Sequence, residues 1–375
     1  MSRRVTLNKN IFESSLTNKI IAVCIAVAVA AAGYVLFVAG AAGFFAAVEP
    51  DAATLTTNAK LVSDANASGG QAIQFTAPAV TPTPTPTPTP PPATGSRCPA
   101  FPSFPDASCT GVIAGTTLAT TSSLTISTPG AVVEAKRIVG SVCITANNVT
   151  IRNSKVEGEI LLGTGGPYGG CPSASIPTGI LFEDVEVMGP GTASTHDDVV
   201  SSTFAVSGND YTCRRCNVHR WGLGFAVKQN TIIEDSYIHD MVGFVGCSPR
   251  IGSDCIAHRS CIGGNGAVNV TYRHNRVNCN DLNGEPGLSG AIVIYSQSGH
   301  SPAQNVLVEK NYIAADTASY CMYAGVGDVT PTNVRLIDNR FSRGTNNKCA
   351  GNGPLALGSG IVLSGNAYTD GVAIN

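Results

Sequence analysis

A nine-residue phrase returns eight times in this chain. It reads NVTIRNSKV at 148–156, GILFEDVEV at 179–187, DYTCRRCNV at 210–218 and NTIIEDSYI at 230–238; then NVTYRHNRV at 269–277, NVLVEKNYI at 305–313, NVRLIDNRF at 333–341 and GIVLSGNAY at 360–368. Apolar residues mostly take the second, fourth and ninth places with polar residues between them, close to the two-residue period of a strand with one buried face. Each copy is therefore expected to be one short strand. The final residues, Val156, Val187, Val218, Ile238, Val277, Ile313, Phe341 and Tyr368, stand 31, 31, 20, 39, 36, 28 and 27 positions apart. Repeats at such spacings, with Gly-rich connections and no helix-period segment between them, predict a parallel β-helix with one copy per coil, an all-β solenoid. The shortest step sets the size of a coil, and extra length is loop.

The seventh place adds a second constraint. It holds Asn275, Asn311, Asn339 and Asn366 in the last four copies, after Ser154, Val185, Cys216 and Ser236. Coils stacked about 4.8 Å apart would let each asparagine bond its neighbours above and below. A column of this kind is structural, because polar groups inside a solenoid must stay paired.

The segments before the repeats differ in kind. Arg3, Arg4, Lys9 and Lys19 precede residues 20–48, which carry no charge. About 20 apolar residues cross a bilayer, so 20–48 reads as a transmembrane signal anchor, with 1–19 cytoplasmic by the positive-inside rule. A long cleaved signal ending near Ala46-Ala47-Val48 is the alternative. Residues 49–97 are Thr-rich and Pro-rich and alternate Thr-Pro over 81–90; a disordered stalk of extended polyproline character is expected there. Residues 98–375 are then the β-helix domain, held outside the cell membrane by a single pass.

Cysteine usage agrees with export. Of 13 cysteines, only Cys24 precedes the folded part, and the remaining even number suits disulfides in an oxidising compartment. Cys213 and Cys216 fall inside one repeat, where residues three apart on a strand point to opposite faces, so each is expected to pair with another coil or loop. Cys321 and Cys349 are placed to staple consecutive coils. The net charge of -2 gives no basic stripe for nucleic acid. Dinucleotide-binding, P-loop and Gly-x-Ser-x-Gly motifs are absent, so a nucleotide has no evident seat.

Chemistry is expected on loops that the solenoid gathers along one flank. His219 and His239 each follow the last residue of adjacent copies separated by the shortest step, so they should stack. Asp240 adjoins them. The long connection that follows carries Arg250, Asp254, His258 and Arg259, and together these groups could act as base, acid and carboxylate binder. The competing assignment is that the histidines cap turns by bonding backbone carbonyls. If the site is real, His219, His239, Asp240, Asp254 and His258 share one flank.

Asn148-Val-Thr-Ile-Arg-Asn-Ser154, Ile233-Glu-Asp-Ser-Tyr-Ile-His-Asp240, Asn269-Val-Thr-Tyr-Arg-His-Asn275, Tyr320-Cys-Met-Tyr323 and Asn347-Lys-Cys349 carry a family likeness. The chain resembles right-handed parallel β-helix repeat proteins of the pectate-lyase-like superfold, in a membrane-anchored bacterial surface form. The resemblance implies a protein that engages polysaccharide or cell-wall glycan along the solenoid, with β-elimination on a uronate as the reaction. It would place Ca²⁺ on Asp240 or Asp254, and proton transfer on His219, His239, His258 or an arginine, Arg250 or Arg259. Where such members carry His-x-Asp-Gly, this chain reads His258-Arg259-Ser260-Cys261. The paired acids, Gly-His-Gly and Arg-x-Lys of polygalacturonases are not met either, and the Asp-Asp pair follows His196. A non-catalytic adhesin or surface-structure protein is the other class this architecture serves.

Overall fold

The computed structural model describes residues 59–63, 71–75, 97–163, 171, 176–190, 204–242, 259–282 and 288–374. The chain divides into two compact units, 1–92 and 93–375. In the first, Ala59–Ser63 pairs antiparallel with Gln71–Phe75, so the stretch expected as a structureless stalk contains a two-stranded ribbon. The anchor at 20–48 lies outside the described residues, and among those described no helix is long and apolar enough to cross a membrane.

In the second unit, 24 strands form one sheet in which all ladder pairings are parallel, and no helix occurs among the described residues. Pairing runs from each strand to the third one after it over most of the chain, so each coil has three sides, an arrangement that fits a β-helix solenoid. The first ladder includes Tyr211–Arg214, Gln229–Glu234, Val268–Arg273, Gln304–Glu309 and Thr332–Ile337. The second stacks Asn217–His219, Tyr237–His239, Arg276–Asn278, Tyr312–Ala314 and Arg340–Phe341. The third stacks Phe204–Gly208, Leu223–Val227, Arg259–Asn265, Leu288–Tyr295 and Met322–Val326.

The nine-residue phrase is a corner rather than one strand. In all eight copies the first and sixth residues have positive φ, between 45° and 73°. Asn, Asp and Gly at the first place suit that left-handed conformation. The sixth residue turns the chain out of the first ladder, and the second ladder begins two residues later. Second, fourth, seventh and ninth places then all face the core. The ninth places are in register from Val156↔Val187 through Val218, Ile238, Val277, Ile313 and Phe341 to Tyr368. One earlier copy escaped the sequence pattern: residues 130–138, GAVVEAKRI, carry positive φ at Gly130 and Ala135 and bring Ile138 against Val156.

The inner asparagine column is present. The backbone N–H groups of Asn275, Asn311 and Asn339 donate to the side-chain oxygens of Asn311, Asn339 and Asn366 at 2.9, 3.0 and 3.1 Å. Ser236 N donates to Asn275 Oδ1, and Cys216 N to Ser236 Oγ, so serine carries the column onward.

Ten described cysteines form five disulfides, including the expected Cys321–Cys349. Cys213 and Cys216 bond each other, contrary to the expectation of separate partners. The alternating-face argument fails because Arg215, at φ 51°, turns the chain between them and points both sulfurs into the core. Cys247 and Cys255 lie outside the described residues.

Candidate functional site

His219 and His239 occupy one register position on adjacent coils, and their rings stack with centroids 5.2 Å apart and 12° between planes. This is the geometry expected from the shortest repeat step. The Tyr237 ring lies 3.9 Å from that of His239, two residues along the same outward face. Neither histidine is an unengaged base. His219 Nε2 meets Glu186 Oε1 at 3.1 Å, while His239 bonds Asn217 Oδ1 through Nε2 at 2.8 Å and Asp240 Oδ2 through Nδ1 at 2.9 Å. Burial would raise Glu186, but His219 and Lys155 outweigh it and bring its pKa to about 2. His239 is held below the ordinary histidine value chiefly by burial, which Asp240 only partly opposes.

Arg259 has a different setting from the one sequence suggested. Its side chain is 1% exposed and that of its partner Asp281 0%, with Nη1 2.9 Å from Oδ2. The guanidinium is thus enclosed in an ion pair rather than presented on the flank with the histidines. Arg250, Asp254 and His258 lie outside the described residues. Of the calcium pair only Asp240 is seen, bonded to His239. One carboxylate falls short of the six to eight oxygens Ca²⁺ takes, and among the described residues no group of three or more His, Cys, Asp or Glu could hold a metal.

A second feature lies on the outer face of the third ladder. A cleft of about 580 Å³ crosses four successive coils, from Phe204 past Lys228 and the Ser260–Asn265 segment to Ser289, Tyr295 and His300. Gly263 and Gly264 line it, and there the missing side chains matter: a Cβ on Gly264 would sit 2.3 Å from the Val227 carbonyl oxygen, and one on Gly263 2.5 Å from Ser260 Oγ. Hydroxyls, amides and a tyrosine ring face the opening, with Lys228 and His300 as its basic groups. Burial, more than neighbouring Tyr323, pushes the Tyr295 hydroxyl above its usual pKa. The connections 191–203, 243–258 and 283–287 each join the second ladder to the third. The segment bearing Asp254 and His258 therefore enters, at Arg259, the strand that lines this cleft. Sequence offered only the Gly263-Gly264 doublet as a signal, since the cleft draws on residues almost 100 positions apart.

No protein-family model matches the chain, and neither does a curated protein or a solved structure.

Proposed function

We propose that this protein binds polysaccharide along the side of its solenoid, in the third-ladder cleft. The observation that carries the reading is an open groove across four coils, each about 4.8 Å from the next, lined by hydrogen-bonding side chains together with the rings of Phe204 and Tyr295. Extended sugars offer the matching chemistry: hydroxyls for Ser260, Asn265, Ser289 and Gln297, and an apolar ring face for Tyr295. Lys228 and His300 suit a uronate carboxylate. The likeness to right-handed pectate-lyase-like β-helix proteins supports the same substrate class, and a cell-surface location follows if residues 20–48 act as the anchor.

Binding without cleavage is the better-supported form. Both nitrogens of His239 are engaged, and Arg259 is committed to Asp281.

The test is calorimetric titration of the whole protein with acidic and neutral polysaccharides, with and without Ca²⁺, alongside absorbance of unsaturated product. Binding of at least one polysaccharide is expected, weakened about tenfold or more by Tyr295→Ala, without product. Product release abolished by His239→Ala would make the protein a lyase instead. Failure of every polysaccharide to bind would overturn the proposal.

A further inference from the structure

The outer faces of the first and second ladders treat arginine differently. On the first, Glu134, Arg152, Glu183, Arg214, Glu234, Arg273 and Glu309 occupy one column with alternating sign. Their ion pairs include 2.7 Å from Arg152 to Glu134 and 2.8 Å from Arg214 to Glu234. Each arginine in that column is answered by an acid of an adjacent coil.

The second ladder carries Arg276, Tyr312 and Arg340 in register on three consecutive coils. Neither arginine has an ion-pair partner among the described residues. The Arg276 guanidinium lies between the Tyr237 and Tyr312 rings, 5.4 Å from each centroid, and its buried Nε has no hydrogen-bond partner. Arg340 spends Nη1 on the carbonyls of Asp338, Asn339 and Gly365 and stands 5.1 Å from the Phe101 centroid.

A strap formed by residues 97–116 completes the enclosure. Cys98–Cys109 closes its loop, the Ser103 carbonyl accepts from His274 Nε2 at 2.9 Å, and Phe104 packs 5.7 Å from Tyr312. Between strap and ladder is a cleft of about 370 Å³ lined by Pro102, Phe104, Arg276, Tyr312, Arg340 and Thr369. Asp106 lies near enough to feel the Arg276 charge, but its bonds go to Ser108.

We propose that this cleft binds an acidic saccharide, with Arg276 and Arg340 each holding a carboxylate or sulfate of it and the Pro102, Phe104 and Tyr312 surfaces packing against the sugar ring. Two guanidiniums two coils apart, about 9.6 Å by strand spacing, present fork-shaped donors to oxyanions. The apolar walls give a ring more contact than a bare ion would use, and Thr369 supplies a hydroxyl partner. This site is on a different side of the coil from the third-ladder cleft and does not depend on that reading.

The experiment titrates the whole protein with a uronic-acid tetrasaccharide, a sulfated tetrasaccharide, a neutral tetrasaccharide and inorganic sulfate. In parallel, an arginine-directed reagent maps which arginines of the unaltered protein each probe protects. At least one acidic saccharide should bind about tenfold or more tighter than both the neutral sugar and sulfate, weaken as salt rises, and protect Arg276 and Arg340. The acidic probe that binds distinguishes carboxylate from sulfate. Arg340→Gln should lower that affinity about tenfold; the protection map serves if this variant folds poorly. Equal binding of neutral and acidic sugars, sulfate binding as well as either saccharide, no binding by either acidic probe, or no protection at both arginines would each overturn the proposal. The third-ladder cleft has no arginine among its described lining residues, so the map separates the two sites.

Discussion

Two columns of asparagine run along this solenoid, one inside its corner and one outside. The inner column, Asn275, Asn311, Asn339 and Asn366, is 0–3% exposed; the first three amides bond the coils on either side, and Asn366 closes the column on the coil before it. The outer column, Asp210, Asn230, Asn269, Asn305 and Asn333, occupies the first place of each copy and links side chain to side chain at 2.8 to 3.1 Å. Residue type, period and bond length are nearly the same, so the difference is water. Outside, a lost bond is replaced by solvent; inside, the groups held by the column are buried away from water.

The largest consequence is expected at Asn311. Its Oδ1 accepts from the Asn275 backbone N–H, and its Nδ2 donates to the Tyr272 carbonyl. Asn311→Ala strands both groups in the core, and at about 1 to 3 kcal/mol for each unpaired buried group the protein should lose roughly 3 kcal/mol. Denaturant unfolding monitored by circular dichroism measures it.

The outer column should respond less. Asn305 sits at φ 53° and is exposed, so Asn305→Ala should cost about 1 kcal/mol, mainly the left-handed penalty of an alanine. Asn305→Gly removes the same side-chain bonds without that penalty and should fall within a few tenths of a kcal/mol of the unaltered protein. If Asn305→Gly proved as damaging as Asn311→Ala, the distinction between the columns would collapse.

The same contrast explains what could be read from sequence. The apolar ninth places and the inner asparagines were legible because burial imposes one residue type at one place on successive coils. The turn at the sixth place was not, because its occupants include Arg215, His274 and Lys310, residues that announce no left-handed backbone. That omission led to the wrong expectation for Cys213 and Cys216. The His219–His239 stack followed from the shortest step, where no loop intervenes to blur the register. Arg259 looked like an available flank cation because its acid, Asp281, belongs to the next coil and no local pattern joins them. Both clefts draw their walls from side chains on several coils, and the second also needs the strap, whose path over the second ladder leaves no mark in a period.

The smallest expected effect sits at one of these corners, immediately outside Asn275. His274 packs against the strap: Nδ1 lies 2.6 Å from Asp235 Oδ1, Nε2 bonds the Ser103 carbonyl, and the ring stacks 6.2 Å from Phe104. Burial is the largest single influence on its pKa and lowers it, and Lys310 opposes the cation too, but Asp235 and the Ser103 carbonyl together raise the pKa above the ordinary 6.5. Since both nitrogens face acceptors, the imidazolium can donate to both and the neutral ring to only one. A pKa raised by folding means the contribution is fully present below about pH 6.5 and fades as pH rises through the folded value. His274→Gln should therefore cost more stability at about pH 5.5 than at about pH 8.5. Subtracting the variant's melting profile from that of the unaltered protein isolates this term from His239, whose lowered pKa acts in the opposite direction. A difference between the two proteins that does not change with pH would show that the strap is held by packing alone, leaving His274 no more than a neutral part of the corner.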